Sequence, residues 1–280
     1  MNARPDPLVG TGVRAGYGAT VVLDGITIAV PRGACTALVG PNGCGKSTLL
    51  RVLAGAMSPS AGVVAIDGDL VEQLKPREIS RRLALLSQSP LVPEGLTVRQ
   101  LVEQGRYPHA GPFGMLRRQD DPSIEAAMRA VDIEQFGDRY LDELSGGERQ
   151  RAWIALALAQ QAPILLLDEP TTFLDLGHQM ETLELIDALR LELGLTVLVV
   201  LHDLNHAIAV AQHIVVVDGG RVVAQGSPSD VMSVDLLRDV FRVEAHIGTH
   251  PTTGHPYVIA LGPGSSANGS TRRTDLTALR

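Results

Sequence analysis

The sequence predicts an α/β protein with a mainly parallel sheet, an antiparallel β layer and an inserted helical subdomain. Three observations lead to this fold class. After residue 145, apolar strand-like runs alternate with helical segments, which is typical of a parallel sheet with helices on its faces. A glycine-rich loop at residues 40–48 joins a strand-like run to a helical one. Residues 97–140 have helical periodicity and interrupt the β pattern.

The N-terminal part of the chain is rich in short strand-like runs. They span residues 21–30, 34–39, 63–66 and 83–86, and a helical stretch at about 46–56 lies among them. Strands so close in sequence leave little room for helical crossovers. We therefore expect an antiparallel layer beside the glycine-rich loop.

The middle of the chain predicts an inserted helical unit. Residues 97–106 and 122–131 are amphipathic, and a loop is expected between them at 107–114. We expect these segments to form a helical subdomain at about 97–145.

The alternating region predicts three helices and three strands. The helices are expected at 148–160, 178–193 and 205–212, and the strands at 164–167, 196–201 and 214–217. Asp218, Gly219 and Gly220 then predict a tight turn between two apolar runs. One domain is expected over residues 1–261, and the polar residues 262–280 are expected to form a flexible tail.

Composition indicates a globular protein and argues against nucleic-acid-binding and membrane-spanning proteins. The chain has 280 residues, 45% of them hydrophobic, and a formal net charge of −7 without a long basic cluster. This balance argues against nucleic acid as a partner. The two cysteines, Cys35 and Cys44, lack metal-ligand spacing and are expected to be reduced thiols. No apolar run approaches the roughly 20 residues of a membrane span, and no signal-peptide core is seen, so we expect a cytoplasmic protein.

The glycine-rich loop matches the P-loop pattern, and the neighbouring strand and helix support the match. Its glycines let N–H groups point at phosphate oxygens, and the helix adds its positive N-terminal end. Lys46 is expected to reach the β- and γ-phosphates, and Ser47 to bind Mg²⁺. The alternative is a turn that binds nothing. The predicted P-loop nucleotide-binding core has as candidate phosphate-binding residues Gly40, Pro41, Asn42, Gly43, Cys44, Gly45, Lys46, Ser47 and Thr48.

Two carboxylates follow the apolar run at 164–167. Asp168 and Glu169 stand where a parallel strand would leave the sheet, and ligands bind at such carboxyl ends. Asp168 is expected to hold Mg²⁺, directly or through water, and Glu169 to polarise the attacking water as general base. Alternatively, both acids only mark the end of the strand.

A second exposed helix start is predicted at Ser145. Ser145 and Glu148 form a capping box, and Gly146 and Gly147 leave the helix end open to an anion. The stretch 144–151 resembles the signature motif LSGGxxQR of the ABC ATPase family. The resemblance implies an ATPase that works as a homodimer. In it, Ser145, Gly146 and Gly147 of one copy close over the γ-phosphate of an ATP held by the other.

Four further residues match positions of this family. Gln88 resembles the glutamine that senses Mg²⁺ and water, and Asp175 the acid at the dimer interface. His202 resembles the histidine that contacts the γ-phosphate, and Tyr17 the aromatic side chain that stacks on adenine. Each also has a plain structural interpretation. In that interpretation, Gln88 is an ordinary polar residue at a strand end and Asp175 is a helix N-cap. His202 is then a structural histidine at a strand end, and Tyr17 is a half-exposed surface tyrosine.

A finer resemblance is to the ATPases of iron–siderophore importers, with haem and vitamin B12 importers close behind. It is carried by the runs 105–109, 152–160, 169–175, 201–207, 240–246 and 251–256. It implies membrane permease subunits as partners, a substrate-binding protein as an indirect partner, and a peripheral location on the cytoplasmic face of the membrane. Phe173 departs from the family pattern, where a tyrosine is expected.

Three other classes of protein fit the sequence less well. A soluble ABC-type ATPase of DNA repair would carry long coiled coils between Gln88 and Ser145, and one acting on ribosomes would carry two nucleotide modules. A P-loop kinase or GTPase would not need the motif at 144–151, and no guanine-reading element is seen. A binding module without turnover would not need Glu169 and His202.

Overall fold

Twelve strands and ten α-helices occur in the part of the chain that the computed structural model describes, residues 6–88, 95–110 and 121–264. The strands are β1 (Leu8–Tyr17), β2 (Thr20–Val30), β3 (Cys35–Val39), β4 (Ala61–Ile66), β5 (Asp69–Leu70), β6 (Leu83–Leu86), β7 (Ile164–Asp168), β8 (Thr196–Val200), β9 (His213–Asp218), β10 (Arg221–Gly226), β11 (Val243–Thr249) and β12 (Pro256–Pro263). The helices are α1 (Lys46–Leu53), α2 (Pro76–Ser80), α3 (Val98–Gln104), α4 (Tyr107–Ala110), α5 (Pro122–Ala130), α6 (Gly146–Ala159), α7 (Leu176–Leu193), α8 (Leu204–Val210), α9 (Pro228–Val231) and α10 (Val234–Asp239).

The central sheet has six strands in the order β10-β9-β3-β8-β7-β6. Strands β9, β3, β8, β7 and β6 are parallel, and β10 is an antiparallel edge strand. All residues of β3, β7 and β8 are buried, as expected for parallel strands covered on both faces. Side chains alternate along β7: Ile164 and Leu166 join one apolar cluster, and Leu165 and Leu167 join the other.

An antiparallel sheet of order β2-β1-β4-β5 covers one face of α1. Leu49 and Leu50 of α1 share an apolar cluster with Leu8 and Leu23 of this layer and with Leu166 of the central sheet. Helix α1, which follows the P-loop, is therefore packed between two sheets. The predicted combination of a mainly parallel sheet with an antiparallel layer is confirmed.

The sequence predicts that the N-terminal strands form an antiparallel layer. For two of them this prediction is wrong. Strands β3 and β6 lie in the parallel sheet, where β6 pairs with β7. The chain between β6 and β7 includes the helices α3, α5 and α6, and this long segment provides the crossover that a parallel pair requires.

Helices α3, α5 and α6 pack together through Leu101, Ile124, Met128 and Ala155, which are all buried. Helix α4 occupies part of the predicted loop at 107–114, because proline is tolerated in the first turn of a helix. The remainder of that loop lies outside the described residues. The subdomain limits at 97 and 145 stay a prediction. None of the described helices is both long and apolar enough to cross a membrane.

Two hairpins complete the C-terminal part. The turn predicted at Asp218 to Gly220 is confirmed, because β9 and β10 pair antiparallel across it. Strands β11 and β12 form a separate hairpin that the sequence did not predict. Strand β12 continues to Pro263, so paired chain extends past the expected tail boundary at Gly262. Residues 265–280 of the expected tail lie outside the described residues.

Replacing a leucine of the central sheet tests this packing. Leu166 is fully buried, and we expect Leu166→Ala to lower the free energy of unfolding by about 2–5 kcal/mol, because the alanine leaves a cavity. Leu191→Ala is the control, since Leu191 is 65% exposed and should lose far less. Denaturant unfolding measures both variants. Equal losses in the two variants would contradict the assigned packing.

Candidate active site

A sharp turn links β3 to α1, and two of its glycines cannot be replaced without displacing neighbours. Gly40 has a φ of 152°, and a Cβ on it would lie 2.0 Å from the carbonyl oxygen of Val217. Gly45 has a φ of 108°, and its Cβ would lie 2.8 Å from a methyl carbon of Leu23. Gly45 is also the N-cap of α1 and offers no side chain to its first N–H groups. The helix start is therefore open to an external acceptor.

Lys46 is buried and crosses this loop. Its Nζ donates to the carbonyl oxygens of Gly40 at 2.8 Å and Pro41 at 2.9 Å. The Cys44 thiol lies 3.9 Å away, and burial raises its pKa although the charge of Lys46 opposes that change. The ammonium group of Lys46 therefore lies inside the loop. It donates to carbonyl oxygens that phosphate oxygens could replace as acceptors.

Ser47 and Asp168 form a pair of oxygen donors at the start of α1. The Ser47 hydroxyl donates to Asp168 Oδ1 at 3.0 Å. Burial raises the pKa of Asp168, the Ser47 hydrogen bond opposes this, and the nearby charge of Glu169 raises it further. A hydroxyl and a desolvated carboxylate match the hard oxygen ligands that Mg²⁺ prefers. The donor set therefore fits this ion.

Glu169 lies at the centre of a hydrogen-bonded group. Its carboxylate accepts a short hydrogen bond from Gln88 Nε2 and a 3.1 Å hydrogen bond from the Thr172 hydroxyl. His202 Nε2 lies 2.5 Å from the other carboxylate oxygen. The backbone of Glu169 has a φ of 53°, an unusual conformation for a non-glycine residue. The structure thus brings together all three residues that were predicted to be catalytic.

A cavity of about 400 Å³ opens in front of these groups. This volume suits a small-molecule ligand. Its lining comes from β2, from the P-loop and from the chain at the ends of β6, β7 and β8. It is lined by Val22, Asn42, Gly43, Gly45, Lys46, Ser47, Thr48, Gln88, Glu169 and His202.

Tyr17 lies at the end of β1, beside α1. Its side chain is 52% exposed, and its hydroxyl is 3.4 Å from an Arg51 nitrogen. Hydrogen bonds from Thr48 and then Arg51 lower the pKa of this tyrosine. Tyr17 does not line the cavity, but Thr48 does. Its expected stacking on adenine stays a prediction.

The start of α6 lies apart from this cavity. Ser145 Oγ accepts from the Glu148 N–H at 3.3 Å, and the Glu148 carboxylate accepts from the Ser145 N–H at 2.8 Å. The predicted capping box is confirmed. Ser145 and Gly146 are exposed, and neither they nor Gly147 line the cavity. A single chain therefore does not bring its two predicted phosphate-binding helix starts together.

Asp175 is the N-cap of α7, as its structural interpretation predicted. Its carboxylate accepts from the His178 N–H at 2.9 Å and pairs with His178 Nδ1 at 2.8 Å. The backbone N–H of His178 and then its ring lower the pKa of Asp175, and the same ring contact raises the pKa of His178. The imidazole also packs against α6 beside Gly147. A Cβ built on Gly147 would lie only 2.8 Å from His178 Cδ2. His178 thus connects Asp175 to the helix start at Ser145.

Three residues of this region were missed at the level of sequence. Thr172 hydrogen-bonds the Glu169 carboxylate, His178 joins two predicted interface segments, and Val22 lines the cavity from β2. The spacing of Asp175 and His178 is that of an N-cap and its third helical residue, so this pair was accessible to sequence reasoning. Val22 gave no comparable signal.

The fold and the site define a P-loop ATPase of the cassette type. Residues 23–172 match the family model described as ABC transporter. The ferric enterobactin transport ATP-binding protein FepC of Escherichia coli is 44% identical over 255 residues, 91% of this chain and 94% of that protein. The probable siderophore transport system ATP-binding protein YusV of Bacillus subtilis is 45% identical over 249 residues, 89% of this chain and 90% of that protein.

A solved structure agrees with these sequence relatives. The dimeric structure of a bacterial ABC transporter cassette aligns with a TM-score of 0.68 and 28% identity, covering 79% of this chain and 98% of that chain. The chain belongs to the ABC transporter family and is one of its ATP-binding, ATP-hydrolysing subunits.

Because the carboxylate of Asp168 is buried, we expect this residue to lower the free energy of unfolding of the nucleotide-free chain. Because burial raises its pKa, the free energy of unfolding falls as pH rises from the ordinary aspartate pKa through the folded-state pKa. At neutral pH, Asp168→Asn should therefore raise that free energy, because the amide carries no charge to desolvate. The gain should vanish at a pH below the ordinary aspartate pKa. The exposed control Asp142→Asn should change little, and a gain in Asp168→Asn that does not depend on pH would contradict this account.

The contact between Gly147 and His178 predicts a rescue. Gly147→Ala should lower the free energy of unfolding by up to about 1 kcal/mol, because the new methyl group pushes the half-exposed imidazole out of place. Adding His178→Ala to the same chain should restore most of that loss. Gly146→Ala is the control, since its Cβ would lie at an ordinary 3.4 Å from Leu174. If the double variant is no more stable than Gly147→Ala, the contact is not the cause.

Proposed function

We propose that this chain is the ATP-hydrolysing subunit that powers an importer of ferric siderophores, with Mg²⁺ as cofactor. The observation that carries the hydrolytic part is the convergence of Gln88 and His202 on the carboxylate of Glu169. The cargo is supported by the relatives named for ferric enterobactin and siderophore transport. A haem, vitamin B12 or other metal-chelate importer is the alternative.

Phosphate binding would begin at the P-loop. The N–H groups at the start of α1 would bind phosphate oxygens, and Lys46 would exchange the carbonyl oxygens of Gly40 and Pro41 for them. Ser47, Asp168 and Gln88 would hold Mg²⁺. When bound, this ion neutralises charge on the phosphates. The amide of Gln88 can donate to Glu169 through nitrogen while its oxygen faces a cation.

Glu169 would act as general base. Its buried carboxylate is held by Thr172, Gln88 and His202, so its orientation is set before a water molecule arrives. The carboxylate accepts a proton from the water that attacks the γ-phosphate. His202 is 45% exposed on its side chain, so its ring is free to turn from Glu169 towards phosphate oxygens.

A second copy of the chain would complete the site. At the start of α6, Ser145 and Gly146 are exposed, and neither they nor Gly147 line the cavity, so an anion bound there would belong to a partner's P-loop. A symmetric dimer lets both copies contribute equally, with Asp175 at the interface. The dimeric ABC cassette with the same fold supports this arrangement.

Membrane permease subunits would be the driven partners, reached from the cytoplasmic face, and a substrate-binding protein would deliver the cargo to them. The helical segment that contains α4 is a suitable contact, since it is tied to the core close to β6. Arg81 Nε donates to the Pro108 carbonyl oxygen at 3.0 Å, and a His109 ring nitrogen is 2.8 Å from the Gln160 carbonyl oxygen. Movement of this segment would therefore be transmitted to the strand that leads to Gln88.

Replacement of the general base tests the hydrolytic role. Glu169→Gln should lower the turnover of Mg-ATP by about 10²–10⁴-fold, because the amide cannot accept the proton. It should still bind ATP and accumulate as an ATP-bound dimer in size-exclusion chromatography with light scattering. Glu134→Gln on the exposed surface is the control with normal turnover. A fully active Glu169→Gln, or a monomer at saturating ATP, would contradict the proposal.

The cargo is tested in cells with the same variant. In a strain that lacks this chain, uptake of labelled ferric siderophore should be lost, restored by the wild type and not by Glu169→Gln. Uptake of haem and vitamin B12, measured in parallel, should be unaffected. Loss of vitamin B12 or haem uptake with normal siderophore uptake would instead support the alternative cargo.

A further inference from the structure

The C-terminal hairpin of β11 and β12 is attached to α8, the helix that directly follows His202. The first contact of this attachment is made by the side chain of Asn205. Its Nδ2 donates to the carbonyl oxygen of Val258 at 3.0 Å, and its Oδ1 accepts from the N–H of Val258 at 2.8 Å. Both main-chain groups of one β12 residue are therefore bound by a single carboxamide, which fixes the orientation of the strand relative to the helix.

A second contact lies one turn further along the same helix. A ring nitrogen of His255, the residue before β12, is 3.3 Å from the carbonyl oxygen of Ile208. The last carbonyl groups of a helix lack intrahelical partners, so this contact satisfies one of them. Val258 also packs against the apolar cluster that includes Ala207 and Ile208. The hairpin thus holds α8 by a polar contact near each end and by apolar packing between them.

The position of α8 bears directly on the catalytic group. Asp203 Oδ1 accepts from the N–H groups of Asn205 at 2.7 Å and His206 at 3.1 Å, so the residue next to His202 is part of the helix cap. His206 is 9% exposed and lines a cavity of about 110 Å³ together with Glu169 and His202. A displaced α8 would consequently move His202 relative to Glu169.

We infer that Asn205 is a positioning residue for ATP hydrolysis, which keeps the hairpin on α8 and thereby keeps His202 in place opposite Glu169. The inference rests on the proposed roles of His202 and Glu169. It adds a function for the C-terminal hairpin, namely support of the catalytic histidine from outside the P-loop core. The P-loop is attached to β3 and α1, and the hydrogen bonds of the described Asn205 go to Val258 and Asp203, so nucleotide binding should be independent of this support.

The test compares two replacements of Asn205 in the full chain. Asn205→Ala removes both bonds to Val258, and we expect kcat for Mg-ATP to fall by about 10- to 100-fold, because small displacements of catalytic groups have effects of this size. The KM for ATP should stay within about twofold, since the P-loop is unchanged. Asn205→Asp keeps the acceptor for the Val258 N–H but places a second acceptor oxygen against the Val258 carbonyl oxygen, so its kcat should also fall.

Two further variants separate positioning from loss of structure. His250→Ala removes a ring nitrogen that accepts only within the hairpin turn, from Thr252 and Thr253, and its kcat should equal that of the wild type. In single-turnover measurements, adding Asn205→Ala to His202→Ala should lower the rate by less than about twofold, because residues that act through one another are not additive.

Three results would overturn the inference. They are a kcat within twofold of the wild type in both Asn205 variants, a rise in KM as large as the fall in kcat, or a full additional loss in the His202→Ala background. If Asn205→Ala does not fold, as judged by circular dichroism, Asn205→Asp and the double variant built on it decide. An inactive wild-type protein in the same assay would count against the proposed function instead.

Discussion

The parallel register of four neighbouring strands is the constraint on which the rest of this molecule depends. Strands β3, β8, β7 and β6 lie side by side and end at one edge of the sheet, with Leu38 opposite Val200, Asp168 opposite Val200 and Leu86 opposite Leu167. The chain that leaves each strand carries one part of the site: the P-loop, His202, Glu169 or Gln88. A shift of one residue in any pair would turn buried side chains to the opposite face, so apolar packing on both faces enforces the alignment of the chemistry.

The charges of this edge favour the phosphate groups and the divalent cation that we propose as ligands. Lys46 is bound by carbonyl oxygens of its own loop, and Asp168 is a carboxylate whose burial opposes ionisation. Phosphate oxygens offer Lys46 a stronger acceptor, and a divalent cation offers Asp168 the charge that water cannot supply there. Stability of the nucleotide-free chain is given up at these positions in favour of binding, as is common at functional sites.

Features encoded in contiguous sequence were accessible without a structure. The P-loop depends on glycines at positions of positive φ, and Ser145 and Asp175 were readable as helix caps, because both signals are local. Features that depend on distant pairing were not accessible. The sequence placed β3 and β6 near the antiparallel layer, and only the long crossover through α3, α5 and α6 brings β6 to β7. The hydrogen bond between Asn205 and Val258 joins residues 53 positions apart, and no pattern in either segment predicts it.

We propose that each catalytic site is composite: the P-loop of one copy binds the phosphates, and the α6 start of another copy completes the site. The most direct measurement is a crystal structure of Glu169→Gln with ATP and Mg²⁺. The account predicts a twofold dimer in which Ser145 and Gly147 of each copy lie within hydrogen-bond distance of the γ-phosphate bound at Lys46 of the other copy. A nucleotide-loaded protein whose α6 starts face only solvent, in every assembly present, would contradict it.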